Sequence, residues 1–176
     1  DLVRSRGLGD VYKRQAYDTS GIVTNDRGVT VWLKGNRVSR NQIMAIKEES
    51  VTEQKNSLAV CLDNILRHAG ITRNTEYDLA QGKTATTILS ENMTGVQVLD
   101  LSGCTLDAVL YYVNQDIPVL AILEDGEAVL VTGFNEFNVV IMEPATGKLY
   151  KKGMNDATAW FAENGNHFIT YMRTEN

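Results

Sequence analysis

Cysteine, histidine and proline are scarce in this sequence, with two of each among 176 residues. Two cysteines cannot form a disulfide scaffold, and two prolines provide no proline-rich linker. Long apolar runs are also missing: the stretches 119–123 and 128–131 fall far short of the roughly 20 residues that span a bilayer. Clustered positive charge is absent, and the net charge of −5 argues against nucleic acid as a partner. We therefore expect neither nucleic-acid binding nor membrane contact from this part of the chain.

What is present is typical of a folded protein. The 43% apolar fraction is too high for a disordered chain, and the length fits one domain. A domain of this size buries roughly two-thirds of its unfolded surface, so it folds without disulfides or metals. The composition predicts one acidic, soluble globular domain, and we expect no cofactor.

Residues 1–15 stand apart from the rest. They show no period-2 or period-3.6 pattern, and they resemble the translated adapter sequence that contaminates assembled metagenomic reads. We expect them to be an unstructured artefact. They carry four basic and two acidic residues, so the remaining 161 residues carry 13 basic and 20 acidic ones, a net charge of −7. In this interpretation the natural N-terminus is missing, together with any signal peptide or anchor.

The first part of the remaining chain predicts a hairpin followed by helices. Residues 16–38 indicate two short strands, 21–24 and 29–33, around a turn. A capping-box spacing at 39–42 predicts a short helix through Glu49. Apolar residues at helical spacing predict a second helix over 57–69, which ends at Gly70. A further helix is predicted over 84–92.

The second half predicts mainly strands. A strand over 96–99 precedes a helix that Thr105 caps and Pro118 ends. Residues 119–123 and 128–132 form a predicted hairpin with an Asp-Gly turn, and strands follow at 139–142 and 149–150. A final helix, capped by Asn155 or Asp156, precedes a strand over 167–172. Helices followed by an antiparallel sheet indicate an α+β fold, with residues 16–50 and 51–176 forming one globular domain.

Few residues could support catalysis. Cys61 and His68 lie seven residues apart on one helix, about 10 Å along its axis, too far for a nucleophile and its base. Cys61 falls on the apolar face, which favours a buried thiol, and Cys104 lies near a helix start, where a thiol is either reactive or a packing residue. No two cysteine or histidine residues have zinc-ligand spacing, so no metal site is predicted. The carboxylates Glu124, Asp125 and Glu127 indicate a solvated turn or a binding or acid–base role.

Three blocks of the second half carry a family resemblance. They read VLYYVNQDIPVLA over 109–121, GEAVLVTGF over 126–134 and VIMEPATG over 140–147. This succession resembles papain-fold cysteine peptidases of the bacteriocin-processing, double-glycine type. In that family a helix leads to a Pro-Val strand, a Gly-His-Ala-Val strand, a Thr-Gly-Tyr turn and an Asp-Pro-x-x-Gly turn. Residues 57–71 resemble the family's nucleophile helix. The resemblance implies a papain-like fold with N-terminal helices packed on a C-terminal antiparallel sheet.

The departures from the family pattern bear on function. Matched without gaps back from Gly70, the nucleophilic cysteine of the family falls on Ser57. The histidine base falls on Glu127, and the orienting Asp or Asn falls on Glu143. Gln54 lies where the family carries an oxyanion-hole glutamine, although its spacing to Ser57 is shorter. A thiolate needs a nearby imidazolium at neutral pH, and serine is a weak nucleophile. The resemblance therefore implies that the thiol-peptidase chemistry is lost.

Three hypotheses follow from this comparison. The first is a catalytically inactive peptidase-like domain that binds a peptide or protein and belongs to a surface or envelope protein of a Gram-positive bacterium. The second is an active papain-like peptidase that uses Cys61, or alternatively Cys104, with His167 brought in by the fold. The third uses Ser57 with Glu127 and Glu143 at acidic pH. The residues favour the first hypothesis, and hence a protein that is not an enzyme.

Overall fold

The computed structural model describes residues 56–174 in full and the backbone of 21–24, 30–33 and 42–43. Residues 1–15 and Gln54 lie outside this set, so the expectations for them stay predictions. No helix in the described part is long and apolar enough to cross a membrane. The helices are α1 Ser57–His68, α2 Glu76–Ala80, α3 Ala85–Asn92, α4 Leu106–Val113 and α5 Met154–Glu163.

The strands form a two-stranded sheet and a larger antiparallel sheet. They are β1 Gly21–Thr24, β2 Thr30–Leu33, β3 Gln42–Ile43, β4 Val96–Asp100, β5 Val119–Ile122, β6 Ala128–Phe134, β7 Asn138–Glu143, β8 Lys148–Gly153 and β9 Phe168–Arg173. β1 pairs with β2, which confirms the predicted N-terminal hairpin. The larger sheet has the order β4-β9-β5-β6-β7-β8, and β3 pairs with the far end of β6. The mixture of helices with an antiparallel sheet confirms the α+β class.

Helix α1 forms where its sequence predicts. Asn56 caps its start, because its side-chain oxygen accepts hydrogen bonds from the amides of Leu58 and Ala59. Gly70 ends it with φ +89°, and the amide of Ile71 donates to Leu66 O at 2.8 Å. Between these caps the helix buries its middle against the sheet. The buried residues of the helix are Ala59, Val60, Cys61, Leu62, Asp63, Asn64, Ile65 and Leu66.

The core lies between the sheet and these helices. Every residue of β6 is buried, and β5 and β7 are buried over most of their lengths. Such strands read as continuous apolar runs because both of their faces are covered. Phe161 of α5 packs edge-on against Phe168 of β9, with ring centroids 5.3 Å apart. The continuous apolar runs thus mark the centre of the sheet, which positions the strand ends discussed below.

The helix predicted from Ser39 through Glu49 is wrong at the two positions the structure describes there. Gln42 and Ile43 form β3, which pairs with Phe134 and Gly133 of β6. Pairing with a buried strand outweighs a local capping pattern, because helix stability depends mostly on tertiary packing. The other residues of that predicted helix lie outside the described set.

Two helix ends differ most from prediction. Helix α4 ends at Val113 rather than at Pro118, since Asp116 adopts φ +68° and Ile117 N donates to Tyr112 O. The last helix begins at Met154, with Gly153 at the cap position instead of Asn155 or Asp156.

The order of elements along the chain agrees with the prediction, with α5 between β8 and β9. In the sheet, β9 lies between β4 and β5, a position for which the sequence made no prediction. The short helix α2 has no counterpart in the prediction.

Candidate functional site

The first turn of α1 contacts the start of β6. The backbone amide of Ala128 donates a hydrogen bond to Ser57 Oγ at 2.9 Å, across 71 residues of sequence. Ser57 is half-buried and directly follows the cap residue Asn56. The hydroxyl therefore joins the beginning of the helix to the strand that follows Glu127.

The sheet register explains why this amide is available. Strands β6 and β7 pair as far as Leu130 and Met142, with one register shift between Val131 and Gly133. If the pairing continued for two more residues, Ala128 would lie opposite Pro144. Strand β7 has already ended at Glu143, however, and a turn begins at Pro144. A buried amide that leaves a ladder needs another acceptor. Ser57 Oγ fills that position, so this hydroxyl substitutes for a missing strand.

Glu127 is the exposed residue beside this contact. Its carbonyl accepts from Leu123 N at 2.8 Å, and its own amide donates to Asp125 Oδ1 at 2.9 Å. The neighbouring amide of Glu124 donates to Asn164 Oδ1 at 3.0 Å, which links the hairpin tip to the end of α5. The hairpin 122–128 is thus held by backbone and side-chain hydrogen bonds, and it exposes Glu124, Asp125 and Glu127.

Glu143 lies at the end of the neighbouring strand β7. Its Oε1 accepts hydrogen bonds from the amide of Thr146 at 3.1 Å and from the Thr146 hydroxyl at 3.2 Å. The carboxylate therefore stabilises the turn that follows it. Burial, and secondarily the charge of Glu143, raises the pKa of the Tyr150 hydroxyl.

Cys61 lies one helical turn after Ser57, inside the core. Its exposed fraction is 0%, and burial, followed by the charge of Glu143, raises the pKa of its thiol well above the usual range. Cys104 is likewise 0% exposed, and both cysteines are reduced. Because the thiolate is the reactive form, Cys61 is placed for packing rather than for attack.

The two histidines lie at other places. His167 precedes β9, and its carbonyl accepts from Ile122 N at 3.0 Å. His68 ends α1, where its Nε2 lies 3.5 Å from Asp116 Oδ1 and 3.2 Å from Asp116 O. His68 is therefore engaged with the α4–β5 loop at the opposite end of α1 from Ser57.

A buried polar cluster on α1 was not predicted. Asp63 Oδ1 accepts from both the amide and the hydroxyl of Thr75, each at 2.8 Å. Asp63 is 7% exposed and Thr75 is 0% exposed. The only signal in the sequence is an acidic residue within the apolar helix pattern. This contact holds the segment after α1 against the helix that carries Ser57.

Among the described residues, no group of three or more His, Cys, Asp or Glu side chains could hold a metal ion. The structure thus brings Ser57 to the peptide unit next to Glu127, while Glu143 ends the adjacent strand. The catalytic or binding roles of Ser57, Glu127, Glu143, Cys61 and His167 stay predictions.

Comparison with known proteins yields a similarity of fold. No protein-family model matches the chain, and no curated protein matches its sequence. A crystal structure of a C39-like peptidase candidate from Bacillus anthracis is similar, with a TM-score of 0.65 at 13% sequence identity. The match covers 78% of this chain and 100% of that one. The helices and antiparallel sheet described here are therefore arranged as in that C39-like peptidase candidate.

Proposed function

We propose that this chain is a catalytically inactive cysteine-peptidase-like domain that binds a peptide or a protein segment. The papain-like fold that the resemblance implies is part of this proposal, and the similar solved structure supports it. We also propose that the domain belongs to a surface protein of a Gram-positive bacterium, the setting that the resemblance implies.

The contact between Ser57 and Ala128 carries the proposal. The sequence match to the family places Ser57 and Glu127 at the nucleophile and base positions. Ser57 Oγ then accepts a hydrogen bond from the amide directly after Glu127. The matched positions therefore lie together, which supports the match, but the groups at these positions are a hydroxyl and a carboxylate.

These groups do not supply thiol-peptidase chemistry. A cysteine nucleophile depends on an imidazolium partner that stabilises its thiolate, and a carboxylate disfavours a neighbouring anion. Ser57 Oγ uses a lone pair for the Ala128 amide, so its role in the sheet is structural. The nearest thiol, Cys61, is buried and has a raised pKa. These observations favour the inactive domain over the peptidase that uses Cys61 with His167.

The surroundings of the site indicate the charge of the ligand. Glu127 is exposed beside Ser57, and Glu124 and Asp125 are exposed on the same hairpin. Glu143 adds a further carboxylate at the end of β7. Carboxylates on one side of a cleft favour ligands of positive charge and accelerate their association. We therefore expect an extended cationic peptide to bind more tightly than an acidic peptide of the same length.

Binding and hydrolysis of fluorescent peptides test this function together. A lysine- and arginine-rich peptide should bind, should remain intact by mass spectrometry, and should bind about tenfold more weakly to Glu127→Lys. Glu136→Lys is the matched control, because Glu136 is exposed beyond the other end of β6 and should leave the affinity unchanged.

Two results would contradict the proposal. Cleavage of the peptide by the wild-type chain would exclude an inactive domain. Equal losses of affinity in Glu127→Lys and Glu136→Lys would show that the ligand does not bind at the hairpin beside Ser57.

A further inference from the structure

Helix α5 ends at an asparagine whose side-chain amide is hydrogen-bonded through both of its polar atoms. Glu124 N donates to Asn164 Oδ1 at 3.0 Å, across 40 residues of sequence, and Asn164 Nδ2 donates to Trp160 O at 3.0 Å. One side chain therefore both caps α5 and connects the helix to the tip of the hairpin 122–128. We call the hydrogen bond between Glu124 N and Asn164 Oδ1 the Asn164–Glu124 contact.

Asn164 is followed by glycine, and this is the one Asn-Gly pair in the sequence. Asparagine is a labile residue, because the backbone nitrogen of the next residue can attack its side-chain carbonyl carbon. Glycine hinders that attack least, since it has no Cβ. Gly165 adopts φ +90°, the left-handed conformation that favours glycine after the end of a helix. The fold thus favours at position 165 the residue type that makes Asn164 most reactive.

The folded conformation opposes this attack. Gly165 N donates to Ala162 O at 3.0 Å, so its proton is engaged in the helix end. At the Asn164 ψ of 12°, the Gly165 nitrogen is rotated away from the Asn164 side chain, whereas ring closure needs the two eclipsed about the Cα–C bond. The Asn164–Glu124 contact in turn holds the side chain against the hairpin. The reaction therefore requires a local opening that separates the helix end from the hairpin tip.

We propose that Asn164 is a deamidation site and that the Asn164–Glu124 contact controls its rate. In the open form, Gly165 N attacks Asn164 Cγ, so that the N–Cγ bond forms and the Cγ–Nδ2 bond breaks. The proton of Gly165 N leaves with Nδ2 as ammonia, and a cyclic imide remains. Water then opens the imide at either carbonyl, which gives aspartate or isoaspartate. The net reaction consumes water and releases ammonia, with no change of oxidation state.

The products change the junction between α5 and the hairpin. Either product adds a carboxylate directly after the last helical residue, where the helix dipole disfavours negative charge. The hairpin already exposes Glu124, Asp125 and Glu127. Isoaspartate also lengthens the main chain by a methylene group at the residue that contacts Glu124. We therefore expect the modified chain to hold the hairpin tip less firmly. This inference does not depend on the proposed peptide-binding function.

Peptide mapping by mass spectrometry, after prolonged incubation of the full chain at mildly alkaline pH, tests the site. Asn164 should deamidate in the folded chain, at least about tenfold more slowly than in denaturant, because the reaction requires the open form.

A pair of variants at Glu124 tests the control by the contact. Gly126 N donates to Leu123 O at 2.9 Å, so Glu124 is the second residue of a β-turn, where proline is favoured. Glu124→Pro removes the donor of the Asn164–Glu124 contact and should accelerate deamidation of the folded chain about fivefold. Glu124→Ala is the matched control, because it removes the same side chain but keeps the amide, and it should react like the wild type.

Three results would overturn the proposal: an intact Asn164 in the folded chain after the denatured chain has fully reacted, equal rates in the folded and denatured chains, or equal rates in Glu124→Pro and Glu124→Ala. If circular dichroism shows that Glu124→Pro does not fold, hydrogen exchange of the Glu124 amide in the wild type is measured instead. This exchange should be slowed by about the same factor as deamidation, because one opening permits both. A freely exchanging Glu124 amide would then overturn control by the contact.

Discussion

The first and second turns of α1 place similar side chains in opposite environments. Ser57 is half-buried in the first turn of the helix, where its hydroxyl oxygen accepts a hydrogen bond from the amide of Ala128. Cys61 lies one turn further along, with no exposed surface. The partly exposed position holds a weak nucleophile, and the better nucleophile is enclosed by the core. The difference teaches that the presence of a cysteine on this helix is not a sign of cysteine catalysis.

The largest expected effect is the difference in thiol labelling rate between the folded and the denatured chain. Cys61 and Cys104 should react with iodoacetamide in the native chain at least about 10³-fold more slowly than in denaturant, because labelling requires unfolding. Intact mass measured over time gives both rates. Complete labelling of Cys61 in the folded chain, at the rate of a small thiol, would contradict the comparison.

The pH dependence of stability should show the burial of Cys61. Its folded-state pKa is raised above the unfolded value, so below the unfolded pKa both states hold the proton. Above about pH 9 the unfolded thiol ionises and the folded one does not, and the free energy of unfolding falls by about 1.4 kcal/mol per pH unit. The difference in unfolding free energy between the wild type and Cys61→Ala should narrow accordingly in denaturant titrations.

A neighbouring variant controls that measurement. Val60→Ala also truncates a buried side chain of α1 but removes no titratable group. The difference in unfolding free energy between Val60→Ala and the wild type should stay constant over the same pH range. A Cys61→Ala difference that stays equally constant would show that the thiol ionises without unfolding.

In the first turn of α1, the hydroxyl of Ser57 should contribute to the stability of the fold. Ser57→Ala leaves the part-buried Ala128 amide without its acceptor and should lower the free energy of unfolding by about 1–2 kcal/mol. Ser57→Thr keeps an acceptor oxygen and should lose less. If Ser57 acted only as a nucleophile, the alanine variant would be as stable as the wild type, which is the opposing result in chemical denaturation.

The cap of α1 should have the smallest of these effects. Asn56→Ala removes the side-chain oxygen that accepts hydrogen bonds from the amides of Leu58 and Ala59. The free energy of unfolding should fall by about 1 kcal/mol. Asn56→Asp preserves the acceptor, and its melting temperature should remain near that of the wild type. Equal destabilisation by both variants would indicate that the cap acts through something other than this oxygen.

Local patterns in the sequence predicted most elements of the fold, because each predicted element has a local cause. Helix α1 has an apolar face and Gly70, and the β5–β6 hairpin has its Asp-Gly turn. The misassigned positions Gln42 and Ile43 depend on distant residues, because they pair with β6. The place of β9 between β4 and β5 likewise depends on distant strands, and the sequence made no prediction of it. Such pairings leave no signature within the segment itself.

The candidate site was predicted only in part. Matching to a family selected Ser57 and Glu127, and the structure brings Ser57 to the amide next to Glu127. The structural use of the Ser57 hydroxyl could not be foreseen, because it depends on where β7 leaves β6 after the Leu130–Met142 pair. The link between Asp63 and Thr75 was missed for the same reason, since twelve residues of sequence separate its partners.

Intact-mass analysis of the native chain with electrophilic peptide probes tests the central claim most directly. The probes carry either a thiol-reactive or a serine-reactive group on the cationic peptide that should bind the site. The account predicts that the chain binds these peptides and that its mass remains unchanged, since no activated nucleophile faces the ligand. An adduct that peptide mapping places on Cys61 or Ser57 of the folded chain would contradict it.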